Sequence, residues 1–428
     1  MTDQLIPRSE KKRIVIIGGG FGGINLVKKL HNKGFQIVLI DKNNYHTFQP
    51  LLYQVATGGL EPDSIAYPLR KIFQGYSDFY FRMAKVNLVE SDKNLIHTSI
   101  GSIHYDFLVL ALGSTNNFFG MSNIAANAMP MKSLSQALDL RSLILQNMER
   151  SLVTTSNKQK YLNFVIAGGG PTGVETAGAL CELKRHVLPN DYPELDFKSA
   201  RIILAEAGPA LLAGMSEFAS RKAKQSLTEM GVEVMLNSAV KDFDGEKVIL
   251  KDGTEIPTVS FIWSAGVKGE DMPGLKPEII SKANRISVDS YNKVIGYENV
   301  FAIGDIAFLK EDVAYPNGHP MVAQVAIQQA DRLAHNLIAV KKGKSQKPFK
   351  YKNLGSLATI GRNKAVADFS FLKLQGFPAW IVWMAVHLMT IVGFRNRLIV
   401  FINWVWSYLS YDRAIRLIIR PFHRGEKF

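Results

Sequence analysis

The chain has 428 residues, of which 47% are hydrophobic and 21% charged, so it is globular and fits two or three domains. Its single cysteine, Cys181, excludes a disulfide framework and any reaction that needs a pair of cysteines. The formal net charge of +14 implies an anionic partner: nucleic acid, a phosphate-rich ligand or a lipid surface. Residues 1–12 are polar and unlike a signal peptide, so we expect the bulk of the protein to stay on the side of the membrane where it is made.

A first phosphate-binding pattern follows a β-branched run that predicts a strand buried on both faces. The spacing Gly18-x-Gly20-x-x-Gly23 permits a tight turn and a close approach of the backbone to a pyrophosphate at the start of a predicted helix. Asp41 ends the next predicted strand and is placed to hold ribose hydroxyls. A bare glycine pattern is not specific, but strands, helix and acid in register predict a dinucleotide site at residues 18–23, the first cradle.

The same order of elements repeats 150 residues later. Gly168-x-Gly170-x-x-Gly173 follows a predicted strand, and Glu206 ends the matching second strand after an apparent insertion. A carboxylate at that position repels a 2′-phosphate, which favours NADH over NADPH. With residues 168–173 as a second cradle, one chain needs two dinucleotides, and the economical pair is a bound flavin and a diffusible nicotinamide.

Three further segments resemble the superfamily of flavoproteins that bind two dinucleotides. Residues 110–113 are similar to its strand and turn near the flavin, and residues 261–267 to the corresponding piece beside the nicotinamide. Residues 301–305 resemble the strand whose aspartate, here Asp305, holds the ribityl chain of FAD; a helix N-cap is the alternative role of this residue. The resemblance implies an α/β fold with two Rossmann-like dinucleotide-binding domains, the second inserted in the first, plus a C-terminal helical membrane-anchoring region.

Two longer motifs narrow the resemblance. Residues 44–58, NYHTFQPLLYQVATG, are close to a signature of the type II, non-proton-pumping NADH:quinone oxidoreductases, and residues 323–329 match the AQxAxQQ quinone-site motif of that family. The resemblance extends over residues 12–419. It implies FAD-dependent oxidation of NADH, with hydride passing from the nicotinamide to the flavin and two electrons passing on to a membrane quinone. Because no polytopic region is present, we expect no coupling to proton pumping.

The fingerprints and the resemblance together give the expected site residues, with no metal ligand among them. The expected FAD contacts, all non-covalent, are Gly18, Gly20, Phe21, Gly22, Gly23, Asp41, Lys42, Gln49, Thr57, Val86, Ala111, Gly113, Asp305, Ala323 and Gln324. The expected contacts of the co-substrate NADH are Gly168, Gly170, Pro171, Thr172, Gly173, Glu175, Glu206, Ala265 and Gly266. The expected quinone contacts are Gln324, Gln328 and Lys364, and the expected catalytic residues are Glu175, Gln324 and Gln328.

Each catalytic assignment has a plainer alternative. Gln324 and Gln328 are four residues apart and share a helical face, where neutral amides can hydrogen-bond quinone carbonyls or simply bond to the backbone at a polar helix edge. Glu175 can face the flavin and relay a proton, or it can be a carboxylate favoured by the helix dipole. Lys364 can serve the acceptor side or be an ordinary surface lysine.

The composition changes at about residue 371, where tryptophans, apolar runs and arginines predominate. Residues 377–394 number 18 and carry no charge beyond a protonated His387, which meets the lower limit for a membrane span. We expect instead an anchor lying in the membrane plane, because polar residues line the second predicted helix; a buried helix pair, a homodimer contact and a true span are the alternatives. The polar line is Asn403, Ser407 and Ser410. The aromatic residues that suit the headgroup level are Trp380, Trp383, Trp404, Trp406, Tyr408 and Tyr411, and the arginines that suit anionic lipid are Arg395, Arg397, Arg413, Arg416, Arg420 and Arg424.

These features divide the chain into four segments, which are predicted to form three regions. The FAD domain comprises 12–122 and 288–345, the NADH domain 123–287, and the C-terminal region 346–428, with anchor helices from about 371. We expect a monotopic protein on the cytoplasmic face of a bacterial inner membrane. Its partners are a membrane quinone and an anionic lipid surface, with no nucleic acid.

Competing functions differ from this prediction in features that the sequence displays. A sulfide:quinone oxidoreductase shares the fold but needs paired cysteines, and a soluble ferredoxin or rubredoxin reductase would lack the aromatic, basic tail. The remaining alternatives are an NADH-binding redox sensor similar to apoptosis-inducing flavoproteins and a flavin-dependent reductase of another acceptor. Slow turnover with a stable flavin–nicotinamide charge-transfer band would favour the sensor.

Overall fold

The computed structural model describes residues 5–411, 416–418 and 420–423, so that Arg413 and Arg424 of the expected basic tail lie outside the described residues. The chain forms two compact units, each assembled from separate stretches of sequence. The first unit contains residues up to His46, Tyr67–Thr115 and Val267–Asn353. The second unit contains Thr47–Ala66, Asn116–Gly266 and the residues from Leu354 onward.

The described residues form the following regular elements. The helices are α1 (Phe21–Leu30), α2 (Leu52–Ala56), α3 (Pro62–Ile65), α4 (Leu69–Ile72), α5 (Ser122–Asn127), α6 (Leu134–Val153), α7 (Gln159–Leu162), α8 (Pro171–His186), α9 (Leu188–Asp191), α10 (Glu217–Glu229), α11 (Ala323–Lys341), α12 (Gly376–Thr390) and α13 (Phe394–Ser410). The strands are β1 (Arg13–Ile17), β2 (Gln36–Asp41), β3 (Tyr45–Thr47), β4 (Ala66–Pro68), β5 (Phe79–Met83), β6 (Val86–Glu90), β7 (Leu95–Thr98), β8 (Gly101–His104), β9 (Phe107–Leu110), β10 (Ser114–Asn116), β11 (Met129–Pro130), β12 (Asn163–Ala167), β13 (Arg201–Ala205), β14 (Val232–Met235), β15 (Val240–Phe243), β16 (Lys247–Leu250), β17 (Glu255–Pro257), β18 (Ser260–Trp263), β19 (Val267–Gly269), β20 (Ile280–Ser281), β21 (Arg285–Val288), β22 (Val300–Ala302), β23 (Ala307–Leu309), β24 (Ser356–Gly361), β25 (Lys364–Asp368) and β26 (Lys373–Gln375).

The first unit is organised around a parallel sheet in the order β22-β9-β1-β2-β5. Side chains of β1 alternate between two cores, because successive residues of a strand point to opposite faces. Ile14 and Ile16 pack in one core, and Val15 and Ile17 in the other. Helices α1 and α11 pack against each other. Since β22 pairs with β9, the chain returns after residue 300 to complete the first sheet, as the sequence predicted.

The second unit contains its own parallel sheet, in the order β11-β18-β12-β13-β14. β12 lies between β13 and β18 and leads into α8, as β1 leads into α1 in the first unit. The predicted α/β fold with two Rossmann-like sheets is therefore confirmed. The limits 12–122, 123–287, 288–345 and 346–428 remain predictions, and Thr47–Ala66 groups with the second unit.

The C-terminal part of the second unit begins with the antiparallel sheet β24-β25-β26, on which α12 packs. The stretch 377–394 is not one helix, because α12 ends at Thr390 and α13 begins only after Gly393, whose φ of +87° breaks the helical path. Among the described residues, no helix has both the length and the apolar content that crossing a bilayer requires.

Candidate functional site

Two glycines of the first cradle, Gly18 and Gly23, lie where a side chain would not fit. A Cβ atom on Gly18, whose φ is +109°, would lie 2.2 Å from the Ala111 carbonyl oxygen, and one on Gly23 would lie 1.9 Å from the carbonyl oxygen of Gly18. A Cβ atom on Gly20, by contrast, would meet nothing within 4 Å. The strand, the turn and α1 are thus packed backbone to backbone, while open space remains in front of Gly20. This arrangement fits a pyrophosphate at the start of a helix.

Asp41 lies at the end of β2, where the sequence predicted it. Its Oδ2 accepts a hydrogen bond of 2.6 Å from the Gly19 N–H, and its Oδ1 accepts one of 2.7 Å from the Asn43 N–H. Burial raises the pKa of the Asp41 carboxyl, and the two backbone N–H groups and Lys42 oppose that rise. Lys42 itself is exposed and pairs at 3.2 Å with Glu270. The carboxylate is therefore fixed beside the cradle, in a position to receive hydroxyl groups.

Asp305 lies in a short 3-10 turn after β22 and accepts a hydrogen bond of 2.5 Å from the Ser114 hydroxyl. The N-cap of this turn is Ile303, so the alternative reading of Asp305 as a helix cap is wrong. Gly304, with a φ of +76°, donates its N–H to the side-chain carbonyl of Gln329 at 2.6 Å. Helix α11 thus holds the turn that presents Asp305.

Gln324 and Gln328 lie in the first two turns of α11 in the first unit, which begins at Ala323. Both glutamines are half-buried. The Gln328 amide donates to the Lys352 carbonyl at 2.9 Å and accepts from the Lys352 N–H at 3.0 Å. Backbone bonding, the plainer alternative for this pair, is thus how the Gln328 side chain is engaged.

Other expected FAD contacts are distributed over both units. In the first unit, Gly113 has a φ of +73° with open space around it, and Val86 begins β6 and is buried. Gly22 lies against Ile303, whose side chain would be 3.2 Å from an added Cβ atom. Gln49 and Thr57 belong to the second unit. Gln49 is exposed, whereas the buried Thr57 hydroxyl donates to the Tyr53 carbonyl at 2.9 Å.

The second cradle reproduces the geometry of the first. A Cβ atom on Gly168, at a φ of +103°, would lie 2.6 Å from the Ser264 carbonyl oxygen, and one on Gly173 would lie 1.8 Å from the Gly168 carbonyl oxygen. Around Gly170 there is again open space. The loop that includes Ala265 therefore closes on this cradle as the loop at Ala111 closes on the first.

Glu206 takes the place that Asp41 has in the first unit. Its Oε2 accepts from the Gly169 N–H at 2.5 Å and its Oε1 from the Gly208 N–H at 2.6 Å. The apparent insertion before β13 has thus not displaced the acid.

Three other expected NADH contacts lie near this cradle in the second unit. Pro171 and Thr172 are exposed at the start of α8, and Gly266 accepts a hydrogen bond of 3.1 Å from the Asn117 N–H.

Glu175 lies in α8, one turn after the second cradle, and is only 7% exposed. Burial raises the pKa of its carboxyl to about 8, and the Thr359 N–H and the Trp383 indole N–H partly offset that rise. The Trp383 Nε1 forms no hydrogen bond of normal geometry within the described residues. A carboxyl group buried in this way differs from a surface carboxylate at a helix N-terminus, because the raised pKa keeps it mostly protonated at neutral pH.

Glu175 lines a cavity of about 120 Å³ that lies entirely within the second unit. Its wall includes Tyr53, Gln54, Thr57, Gly59, Ala179, Glu182, His186, Val187, Thr359, Gly361, Arg362, Trp380, Trp383, Met384, Trp404, Ser407, Tyr408 and Tyr411. The Trp383 ring stacks on His387 at 4.2 Å and lies 5.6 Å from Trp404, whose indole N–H donates to Gln54 at 2.8 Å. The cavity is thus an aromatic chamber with a neutral acid in its wall.

One sequence-based assignment changes in this region, that of Trp383, while the role of Lys364 stays a prediction. Trp383 was expected at the headgroup level, but it is 2% exposed because it packs beside Glu175. Lys364 pairs with Glu229 at 3.2 Å and does not line the cavity of the second unit. Arg362 lines it instead, with its guanidinium 3.9 Å from the rings of both Tyr408 and Tyr411. Sequence reasoning missed Arg362 and Trp383 as site residues, since nothing local marks a residue that faces a cavity.

Comparisons with known proteins agree with this geometry. Residues 12–330 match the model of the pyridine nucleotide-disulphide oxidoreductase family, and residues 353–411 match that of the NDH2 C-terminal domain. The chain is 35% identical to a type II NADH:quinone oxidoreductase of Mycobacterium tuberculosis, over 97% of this chain and 92% of that protein. It is 31% identical to the type II NADH:quinone oxidoreductase of Haemophilus influenzae, over 88% of this chain and 93% of that protein. The structure of NDH2 from Plasmodium falciparum in complex with NADH has the same fold, with a TM-score of 0.88 at 21% identity, over 96% of this chain and 100% of that chain.

Proposed function

The chain belongs to the family of type II NADH:quinone oxidoreductases, and from that premise we propose roles for its own residues. The reaction is the FAD-dependent oxidation of NADH with two-electron reduction of a quinone, without proton pumping. FAD, held by the first cradle and Asp305, would supply the chemistry of hydride acceptance and two-electron transfer. The protein contributes binding, orientation and a source of protons.

Glu175 holds a proton for the quinone. The observation that supports this role is a carboxyl group buried in an aromatic chamber, where burial raises its pKa to about 8. A quinone that gains two electrons also needs two protons. One comes with the hydride that NADH gives up, and a neutral acid in the cavity wall can donate the other. The Thr359 N–H group then stabilises the carboxylate that remains. Glu175 regains its proton before the next turnover.

The aromatic chamber of the second unit accommodates the quinone ring. Its wall of tryptophan, tyrosine and methionine side chains suits a flat, apolar ring, and its few polar groups suit the two ring oxygens. Gln54 already accepts a hydrogen bond from Trp404, so its side chain is held in one orientation. On the first unit, Gln324 and Gln328 remain proposed quinone contacts, although Gln328 must release the Lys352 backbone to serve as one. Lys364 remains a proposed contact on the acceptor side.

The pair α12–α13 attaches the protein to an anionic lipid surface, which we place at the cytoplasmic face of a bacterial inner membrane. Helix α13 faces its own unit through polar side chains, because Asn396 donates to the carbonyls of Asp63 and Ser64, and Asn403 donates to Glu61. The outer face carries exposed apolar residues: Phe394, Leu398, Phe401, Ile402, Val405, Trp406 and Leu409. A surface helix with its apolar face outward fits a lipid boundary, and a second copy of the chain is the other occupant to be tested.

The test separates the two half-reactions of the full-length protein. NADH is first mixed with the protein without oxygen, and a quinone is then added, while the flavin absorbance is followed by stopped flow. We expect Glu175→Gln to slow the quinone step by roughly 100-fold or more, as for the loss of a general acid, and to spare the NADH step. Glu217→Gln, which changes a carboxylate whose side chain is 95% exposed, is the control and should change neither step. A Glu175→Gln variant that re-oxidises as fast as the wild type would refute the role of this carboxyl.

A further inference from the structure

The two cradles share one hydrogen-bonding plan and differ in a single donor. In both cradles, the acid at the end of the second strand accepts a hydrogen bond from the N–H of the glycine that lies between the first two fingerprint glycines. This glycine is Gly19 in the first cradle and Gly169 in the second. The carbonyl of that glycine is held as well. In the second cradle the donor is the backbone, since the Leu212 N–H lies 2.8 Å from the Gly169 oxygen. In the first cradle the donor is a side chain, since His46 Nδ1 lies 3.1 Å from the Gly19 oxygen.

The chemistry of this contact fixes the state of His46. A carbonyl oxygen can only accept, so Nδ1 carries the hydrogen and Nε2 carries the lone pair. The imidazole is 3% exposed and forms a T-shaped pair with the Phe21 ring, with 5.0 Å between the ring centroids. Burial lowers the pKa of His46 to about 4; the Gly19 carbonyl acts against this shift, and Lys28 adds to it. The side chain is therefore a neutral, permanently oriented donor at neutral pH.

Holding the Gly19 carbonyl also aims the next N–H group. The peptide unit is planar and trans, so its C=O and N–H bonds point in opposite directions. With the Gly19 oxygen turned toward His46, the Gly20 N–H is turned away from it. Gly20 is the N-cap of α1, and its Cα faces open space. An N–H group at the start of a helix is a donor for a phosphate oxygen.

We propose that His46 is a positioning residue for FAD, which locks the Gly19–Gly20 peptide so that the Gly20 N–H is ready for the pyrophosphate. This proposal rests on the assignment of the first cradle to FAD. The second cradle gets the same lock from its backbone and does not depend on a side chain. Affinity for FAD, but not for NADH, therefore depends on one imidazole N–H.

The test compares His46→Phe with His46→Asn. Phenylalanine keeps a planar ring but has no N–H, whereas the Asn Nδ2 lies the same number of bonds from the backbone as the His Nδ1. The full-length holoprotein is diluted and titrated with FAD, and the flavin fluorescence reports free cofactor. The Michaelis constant for NADH is then measured at saturating FAD as a check on the fold and on the second cradle.

We expect His46→Phe to weaken FAD binding about tenfold, the loss of one buried hydrogen bond, and His46→Asn to bind within about twofold of the wild type. The Michaelis constant for NADH should be unchanged in both variants. The proposal is overturned if His46→Phe binds FAD as tightly as the wild type, or if His46→Asn is as weak as His46→Phe. If the Michaelis constant for NADH rises while FAD binding is unchanged, the assignment of the first cradle to FAD is itself at fault.

Discussion

The Glu175 carboxyl is neutral at physiological pH because the fold withdraws it from water. A group whose folded-state pKa is raised holds a proton that the unfolded chain releases. For Glu175 this difference begins at the ordinary carboxyl value of 4.5 and ends at about 8. Its contribution to stability is thus fully present below pH 4.5 and is lost as the pH rises toward 8. The proton that we propose for the quinone also makes the stability of the fold sensitive to alkaline pH.

Replacing Glu175 with glutamine should remove that sensitivity. We expect the melting temperature of Glu175→Gln, relative to the wild type, to increase steadily between pH 5 and pH 8, since the amide does not ionise. At pH 8 the free energy of unfolding of the variant, relative to the wild type, should have risen by on the order of 3 kcal/mol from its value at pH 5, because of the size of the pKa shift. Differential scanning calorimetry of the holoprotein in matched buffers measures it. A difference that stays constant across this range would mean that the carboxyl titrates normally.

We propose that Glu206 makes the protein prefer NADH to NADPH. The Gly169 and Gly208 N–H groups hold its carboxylate in place by hydrogen bonds. The 2′-phosphate of NADPH would therefore lie next to a fixed negative charge. We expect NADH to be strongly preferred, and Glu206→Gln to narrow the preference by about 1–3 kcal/mol in kcat/KM. The specificity constants for both nucleotides measure this directly. Asp41→Asn, the matching change in the first cradle, should leave the preference intact; equal constants in the wild type would contradict the assignment.

At the scale of elements, α8 and β24 approach closely enough for backbone to touch backbone. A Cβ atom on Gly178 would lie 1.7 Å from the Ile360 carbonyl oxygen. Glycine in a helix interior is normally unfavourable by about 1 kcal/mol relative to alanine, so the close approach must compensate for it. Glu175 lies three residues earlier on α8 and Thr359 one residue earlier on β24, which places both at the cavity. The packing of these two elements therefore positions the acid beside its N–H donor.

Gly178→Ala should destabilise the protein despite its better helix propensity. The added methyl group cannot be accommodated by a side-chain movement, because the atom it meets belongs to the backbone. We expect a loss of about 1–3 kcal/mol, as for overpacking in a core, measured by denaturant unfolding. Gly214→Ala is the control, since a Cβ atom there meets nothing within 4 Å, and it should be nearly neutral. Equal stability of the two variants would show that α8 can move away from β24 freely.

At the scale of the whole molecule, the two cradles are the part that sequence predicts best. Every feature that defines them is local: a strand, three glycines at fixed spacing, a helix and an acid one strand later. The structure places Asp41 and Glu206 as that pattern requires. His46 lies in a motif that the sequence displays, yet its contact with Gly19 could not be foreseen, because the two residues are 27 positions apart.

The cavity was not predictable from the sequence for the same reason on a larger scale. Its wall comes from five stretches of chain, around Gln54, Glu175, Thr359, Trp383 and Trp404, which only the folded second unit brings together. Tryptophan in an apolar C-terminal helix is compatible with a lipid boundary and with a buried wall. Burial decides between these environments: Trp383 is buried, while Trp406 is exposed. The periodicity of the sequence alone predicts the same environment for both tryptophans.

Attachment to lipid should depend on the outward apolar side chains of α12 and α13 rather than on net charge alone. Phe394, Trp406 and Leu409 are 80%, 61% and 74% exposed, so replacing all three with serine leaves the core untouched. Because each apolar side chain contributes about 1–2 kcal/mol on leaving water, the triple variant should bind vesicles containing anionic phospholipid at least roughly 100-fold more weakly. The control replaces Val153 and Val313, which are 81% and 92% exposed but lie outside these helices, with serine, and it should bind like the wild type. Co-sedimentation in low and high salt measures the binding, and sedimentation velocity without lipid reports the oligomeric state. If the triple variant still sediments with vesicles but changes from dimer to monomer, the apolar face covers a second copy of the chain instead of lipid.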